Sequence, residues 1–205
     1  MLKFSVALLF TLMSFLPVRA ETITLLALGD SLTAGLGLDA AQSFPARLEA
    51  ALKAKGRDVV VVNAGVSGDT MAQGAARLNW SLSDDVDAVM VELGANDALR
   101  GLPVPQAEAA LDGILTALKT KNLPTLVLGM RAPPNLGPDY GSAFEVMYPK
   151  LSAKHDAALY PFFLEGVAAD ASLNQADGIH PNPQGVDVIV RRVLPDVEAL
   201  LARVK

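Results

Sequence analysis

Cysteine is absent from the 205 residues of the sequence. Without thiols the fold cannot use disulfide bonds, so its stability has to come from a hydrophobic core. The same absence excludes a cysteine nucleophile, a thiolate metal site and a lipid-modified cysteine. Aromatic residues make up only 5% of the chain, which disfavours a sugar-binding site built on stacked rings.

Positive charge is not in excess, because the sequence contains 17 lysines and arginines and 22 aspartates and glutamates. We therefore expect neither nucleic acid nor an anionic membrane surface as a partner. Histidine is limited to His155 and His180, which lie in such different sequence surroundings that a metal site is unattractive. We expect no metal and no cofactor.

An apolar segment opens the chain. Lys3 precedes the almost wholly apolar residues 4–16, and residues 18–20 place small side chains at the two positions that a signal peptidase recognises. The run is shorter than the ~20 residues that span a bilayer, so a stable membrane anchor is disfavoured. Residues 1–20 are predicted to be an export signal, leaving one periplasmic or secreted domain of residues 21–205.

Short apolar segments alternate with longer helical stretches through the rest of the chain, as in a parallel sheet covered on both faces. The predicted strands are residues 22–28, 58–62, 88–93, 124–130 and 159–163. The predicted helices are residues 44–55, 71–80, 105–121, 142–158 and 183–204. This order predicts an α/β fold, a three-layer α/β/α sandwich with a five-stranded parallel sheet. Ligands of such sheets bind at the carboxyl ends of the strands.

A serine and a histidine are predicted at that edge of the sheet. Ser31 directly follows the first strand, and His180 lies in the loop before the last helix. A serine hydroxyl becomes a nucleophile when a base lies beside it, and Asp177 could orient that base. His155, within a predicted helix, is expected to be a solvated surface residue. Taken alone, each of these two segments also has the amino-acid composition of an ordinary turn without a catalytic role.

Two more loops follow predicted strands and contain glycine and asparagine, at residues 63–70 and 94–97. A glycine lets the backbone present its N–H closely to a substrate, and an asparagine amide offers another donor. Acyl transfer needs such donors where negative charge develops. Either loop in isolation is typical of a plain turn.

Together the four segments resemble the SGNH hydrolase superfamily, also called GDSL hydrolases. They are Gly-Asp-Ser-Leu around Ser31, Ser-Gly-Asp-Thr around Gly68, Gly-Ala-Asn-Asp around Asn96 and Asp-Gly-Ile-His ending at His180. The resemblance implies a flavodoxin-like fold with Ser31 as nucleophile, His180 as base and acid, and Asp177 as its orienting carboxylate. It also implies an oxyanion hole formed by the backbone N–H groups of Ser31 and Gly68 and the amide of Asn96.

Within the superfamily, the chain resembles the small bacterial periplasmic group of acyl-CoA thioesterases, lysophospholipases and arylesterases. The segments that carry this likeness are residues 62–64, 91–94, 148–151 and 161–163. The resemblance implies a small acyl ester or thioester as substrate, with Leu102, Pro133 and Asn135 in substrate-binding loops. The same loops could equally serve only to connect secondary-structure elements. The short side chain of Ala132 differs from that of some relatives, so the preferred length of the acyl chain stays open.

Other functions remain open at this point. A carbohydrate O-acetyl esterase would carry the same catalytic segments, and a binding module could retain the fold without activity. A dinucleotide site is disfavoured because the glycines of residues 35–40 lie away from the turn between strand and helix. The Gly-x-Ser-x-Gly elbow of α/β-hydrolases is absent from the sequence. The sequence does not indicate an oligomeric state.

Overall fold

A computed structural model describes residues 22–204, so the predicted export signal lies outside the described residues. These residues form one parallel sheet with strand order β2-β1-β3-β4-β5. The strands are β1 (Ile23–Gly29), β2 (Val59–Gly65), β3 (Ala88–Glu92), β4 (Thr125–Leu128) and β5 (Ala158–Tyr160). The prediction of a five-stranded parallel α/β fold is therefore confirmed.

Helices cover both faces of the sheet. They are α1 (Ser31–Ala34), α2 (Phe44–Ala54), α3 (Met71–Ser81), α4 (Ala95–Leu99), α5 (Val104–Thr120), α6 (Pro138–His155) and α7 (Pro183–Leu201), with 3₁₀ turns at Ala40–Gln42 and Pro134–Leu136. Helix α2 packs against α7, whereas α5 packs against both α3 and α6. These two groups of helices form the outer layers of the sandwich.

The core follows from the position of each strand in the sheet. All five residues of β3 are buried, because the strand has neighbours on both edges and helices on both faces. The edge strand β2 instead alternates, with Val59 and Val61 buried and Val60 and Val62 exposed. Glu92 at the end of β3 is the one charged residue within an otherwise apolar strand.

Several element boundaries differ from the prediction. Helix α6 begins at Pro138 rather than at residue 142, since proline suits the first helical turn, where its missing N–H has no partner to lose. The strand β5 ends at Tyr160 rather than at residue 163. The prediction places residues 94–97 in a loop and gives no helix directly after the first strand, whereas the structure has the short helices α4 and α1 at these positions. Four or five residues are too few to show a helical period in the sequence.

No helix within residues 22–204 is long and apolar enough to cross a bilayer.

The close packing of β2 against α1 can be tested at Gly65. A Cβ atom there would collide with the backbone of Ala34 and lie 2.8 Å from the carbonyl carbon of Thr33. We predict that Gly65→Ala lowers the free energy of unfolding by about 1–3 kcal/mol, the usual cost of overpacking. Chemical denaturation monitored by circular dichroism measures the change.

Gly113 provides the matched control for this substitution. It lies within α5, and a Cβ atom at this position meets no other atom within 4 Å. Gly113→Ala is expected to stabilise the protein by up to about 1 kcal/mol, because alanine favours the helix. Equal stability of the two variants would show that β2 and α1 are not closely packed at Gly65.

Candidate active site

Ser31 is held at the carboxyl edge of the central strands by the turn after β1. Asp30 caps α1, and its Oδ1 accepts the N–H of Leu32 at 2.9 Å. Ser31 is the first residue of α1 and is 8% exposed. Gly35, with a φ of 81°, ends the helix after one turn. The cap at Asp30 and the short helix therefore fix the position of the serine hydroxyl at the turn that follows β1.

His180 and Asp177 complete a line of hydrogen-bonding groups that begins at Ser31. The Oγ of Ser31 lies 2.9 Å from Nε2 of His180, and Nδ1 of His180 lies 2.6 Å from Oδ2 of Asp177. Because an ionised carboxylate can only accept, Nδ1 carries the proton in this pair, and the lone pair of Nε2 faces the serine. The hydroxyl of Ser31 then donates to Nε2.

The carboxylate of Asp177 is also bound by the backbone of its own turn. Its Oδ1 accepts the N–H groups of His180 at 3.0 Å and Ile179 at 2.9 Å. The backbone N–H of His180, its imidazole and the N–H of Ile179, in this order, lower the pKa of Asp177 to about 2. Asp177 therefore stays ionised at neutral pH.

The loop that carries His180 is anchored at both ends. The N–H of Gln175 donates to the carbonyl of His180 at 2.7 Å, and the N–H of Asn182 donates to the carbonyl of Leu173 at 2.9 Å. The side chain of Asn182 also caps α7 by accepting the N–H groups of Gln184 and Gly185. These bonds hold the imidazole in place without help from a substrate.

Gly68 and Asn96 line the same cavity as Ser31. Gly68 has a φ of 89°, a left-handed conformation that favours glycine, and its carbonyl accepts from Arg100 at 2.8 Å. The amide nitrogen of Asn96 donates to Oδ2 of Asp30 at 3.1 Å and to the carbonyl of Asp69 at 3.0 Å. An incoming oxyanion would share the second of these amide hydrogens with the Asp69 carbonyl.

Ser31, Gly68, Asn96 and His180 line one cavity of about 440 Å³. This volume lies within the usual range for small-molecule sites, roughly 300–1,000 Å³. Much of the remaining wall is apolar and includes Leu32, Leu36, Leu99, Met130, Pro133, Phe162, Leu164 and Ile179. The cavity can accommodate an apolar chain beside a polar reaction centre.

Of the three residues predicted to bind substrate, Pro133 lines this cavity, whereas Leu102 and Asn135 do not. The carbonyl of Leu102 accepts from the hydroxyl of Tyr140 at 2.8 Å, which holds that loop against α6. Asn135 is exposed on the 3₁₀ turn Pro134–Leu136. The geometry therefore favours only Pro133 among the three as a substrate contact.

The prediction of His155 as a solvated residue was wrong. Its side chain is only 7% exposed, and Nε2 lies 2.6 Å from Oδ1 of Asp112 on the neighbouring helix α5. The residue lines a different cavity of about 660 Å³, which also includes Pro124 and Thr125 at the amino end of β4. His155 thus lies near the amino ends of the strands, whereas Ser31 lies at their carboxyl ends.

Two buried carboxyl groups near Ser31 were not identified as site residues from the sequence. Asp30 and Glu92 are both fully buried, and the hydroxyl of Thr33 donates to Oε2 of Glu92 at 2.8 Å. Burial raises the pKa of Asp30 to about 6, although the N–H of Leu32 and the amide of Asn96 oppose the shift. The available signal was an acidic residue within the apolar run of residues 88–93.

No group of three or more histidine, aspartate or glutamate side chains within the described part of the chain is arranged to hold a metal ion.

Similarity to known proteins extends over most of the chain. Residues 27–188 match the GDSL-like Lipase/Acylhydrolase family. The chain is 42% identical to Esterase TesA of Pseudomonas aeruginosa over 184 residues, which cover 89% of this chain and 92% of that protein. It is 44% identical to Thioesterase 1/protease 1/lysophospholipase L1 of Escherichia coli over 172 residues, which cover 83% of this chain and 80% of that protein.

The fold is also similar to that of a solved structure. The crystal structure of TesA superposes with a TM-score of 0.82 at 42% identity, covering 86% of this chain and 99% of that chain. The family match begins before Ser31 and ends after His180, so it includes the four sequence segments around Ser31, Gly68, Asn96 and His180.

The orienting role of Asp177 can be tested by Asp177→Asn. The amide can donate to Nδ1, which favours the tautomer with a proton on Nε2 and leaves no base for Ser31. We predict a loss of about 10⁴-fold in kcat for p-nitrophenyl butyrate, the size seen when a triad carboxylate becomes an amide. Steady-state kinetics at neutral pH measure this loss.

Asp112→Asn is the matched control, because Asp112 forms the other aspartate–histidine pair of the described residues, with His155. This pair lies away from the cavity, so kcat should change by less than about threefold, as expected for a change far from the reacting groups. A similar loss in both variants would contradict a specific role of Asp177.

Proposed function

Because the chain belongs to the GDSL-like lipase/acylhydrolase family, we propose that Ser31, His180 and Asp177 are the catalytic triad with which it hydrolyses esters. The chain is an ester-hydrolysing serine hydrolase of the esterase and thioesterase type. The observation that carries the assignment is the line of contacts from Ser31 through His180 to Asp177, at the wall of an apolar cavity.

Acylation begins when Oγ of Ser31 attacks the carbonyl carbon of the substrate. The hydroxyl proton passes to Nε2 of His180, and the ionised Asp177 stabilises the imidazolium that forms. As the tetrahedral intermediate collapses, the bond from carbon to the leaving oxygen or sulfur breaks, and His180 returns the proton to the leaving group. The product of this half-reaction is an acyl ester on Ser31.

Deacylation repeats these steps with water. His180 takes one proton from the water as its oxygen attacks the acyl carbonyl, and it then returns that proton to Oγ of Ser31. The carboxylic acid leaves and the enzyme is restored. The negative oxygen of both intermediates is assigned to the backbone N–H groups of Ser31 and Gly68 and to the amide of Asn96, three residues that line the cavity.

The cavity supports acyl substrates over acetylated sugars. Among the described residues that line the cavity, Phe162 and His180 are the ones with aromatic rings. The wall therefore offers little surface for stacking against a sugar ring. The aliphatic residues around Met130 and Leu99 instead offer an apolar surface for an acyl chain. Pro133 is assigned to this acyl-binding wall.

The serine mechanism and the substrate class are tested together by Ser31→Ala. This change should lower kcat by a factor on the order of 10⁶, the loss typical of a missing triad serine. The assay is hydrolysis of p-nitrophenyl esters from acetate to decanoate, beside acetylated xylan. We expect the wild type to cleave the esters and not the polysaccharide.

Ser152→Ala controls for the loss of a hydroxyl group, because Ser152 is buried on α6, outside the residues that line the cavity. Its kcat should equal that of the wild type. Full activity of Ser31→Ala would refute the proposed nucleophile, and faster release of acetate from xylan than from aryl esters would favour a carbohydrate O-acetyl esterase.

Residues 1–20 support the further proposal that the enzyme acts outside the cytoplasm, as one catalytic domain of residues 21–205. Their positive start, apolar stretch and small residues before position 21 are typical of a cleaved export signal. Expression of the full chain in a Gram-negative host should yield a periplasmic or secreted protein that begins at Glu21. Intact-mass measurement checks this, and active protein that retains residues 1–20 in the cytoplasm would contradict it.

A further inference from the structure

Asp30 and Glu92 occupy neighbouring positions beneath the cavity. In the parallel pairing of β1 with β3, Gly29 is the partner of Glu92, so Asp30 leaves the sheet directly beside it. Asp30 is 0% exposed and Glu92 is 1% exposed. Two adjacent carboxylates cannot both be charged in such a place at low cost, because desolvation and mutual repulsion oppose the second charge.

The hydrogen bonds around the pair are unequal. Asp30 accepts two donors, the N–H of Leu32 and the amide of Asn96. Glu92 accepts one side-chain donor, the hydroxyl of Thr33 on Oε2, and the backbone N–H of Asp30 also favours its charged form, whereas its Oε1 has no hydrogen-bond partner among residues 22–204. Because a carboxylate can only accept, these two neighbouring carboxyl groups can share a hydrogen bond only if one of them holds a proton.

The proton is expected on Glu92. Burial, and after it the charge of Asp30, raise the pKa of Glu92 well above its ordinary value. Burial raises the pKa of Asp30 only to about 6, because Leu32, Asn96 and the nearby His180 favour its charged form. The pair is therefore expected to hold its proton on Glu92 and its negative charge on Asp30.

Within residues 22–204, no side chain on the surrounding elements donates to Oε1 of Glu92. The guanidinium of Arg77 on α3 binds Asp69 and the carbonyl of Gly29. The hydroxyl of Tyr148 on α6 donates to the carbonyl of Leu93, and Asp97 on α4 accepts the N–H of Met71. The remaining ionisable neighbour is His180, which interacts with Asp30.

We propose that Glu92 is a positioning residue of this site, which as a neutral acid donates a hydrogen bond to Asp30 and thereby fixes the amide of Asn96 and the first turn of α1. The inference rests on the proposed function, because Asn96 and Ser31 matter here as oxyanion donor and nucleophile. Glu92 itself does not line the cavity. Its effect on the reaction passes through Asp30.

This arrangement also limits the charge beneath the oxyanion. With the proton in place, a single negative charge on Asp30 orients Asn96. If Glu92 ionises at alkaline pH, a second negative charge appears beside Asp30, and both oppose the negative oxygen that forms on the substrate. The turnover of the wild type should therefore fall as the pH rises through the pKa of Glu92.

Glu92→Gln and Glu92→Met separate this role from a purely structural one. Glutamine can donate to Asp30 and accept from Thr33, whereas methionine has a similar length but makes neither bond. We expect Glu92→Gln to keep kcat within about threefold at neutral pH and to lose the alkaline fall. Glu92→Met should lower kcat by roughly tenfold to a hundredfold with little change in KM, somewhat less than the usual loss of an oxyanion donor.

Covalent labelling with a fluorophosphonate, followed by peptide mass spectrometry, keeps this test separate from the proposed function. Failure to label Ser31 in the wild type would overturn the triad, and with it the positioning role of Glu92, which depends on Ser31 as the nucleophile. With Ser31 labelled, equal kcat values in both variants, or an unchanged alkaline limb in Glu92→Gln, would overturn the positioning role. If Glu92→Met does not fold, as judged by circular dichroism, the pH profile of Glu92→Gln decides alone.

Discussion

The parallel pairing of β1 with both β2 and β3 is the constraint on which the site depends. In this register Gly29 lies beside Gly65 on one side and Glu92 on the other, so the three strands end at the same height. The chain segments that leave these ends therefore begin within one small region of the molecule. Ser31, Gly68 and Asn96 are brought together by strand pairing, although 65 positions separate the first from the last.

Parallel pairing alone would not position the histidine, because His180 follows no strand of the sheet directly. Its place is set by the antiparallel bridge between Asn174 and Pro181 and by the cap that Asn182 provides to α7. Since α7 packs on β4, β5 and α2, the imidazole is connected to the core through the start of a long helix. The turn enclosed by that bridge, between residues 174 and 181, then presents Asp177 and His180 as one unit.

Much of this arrangement could be predicted from residue patterns. The apolar run at 88–93 predicts a buried strand, and Asn182 followed by Pro183 predicts the start of α7. The burial of His155 could not be predicted, because it depends on which face of α6 meets α5 and on the position of Asp112. The cavity wall likewise combines Met130, Phe162 and Ile179 from separate loops, a contact set that exists only after folding.

The two aspartates of the site illustrate how the environment sets the role of a carboxylate. Asp177 is 45% exposed and receives three hydrogen bonds, so its charge has little desolvation cost and its pKa falls to about 2. Asp30 is buried, and its pKa rises to about 6 even with two donors. A counter-charge for an imidazolium is therefore least costly at the solvent edge. A carboxylate that only orients an amide can lie in the interior, provided that a neighbouring group such as Glu92 carries a proton.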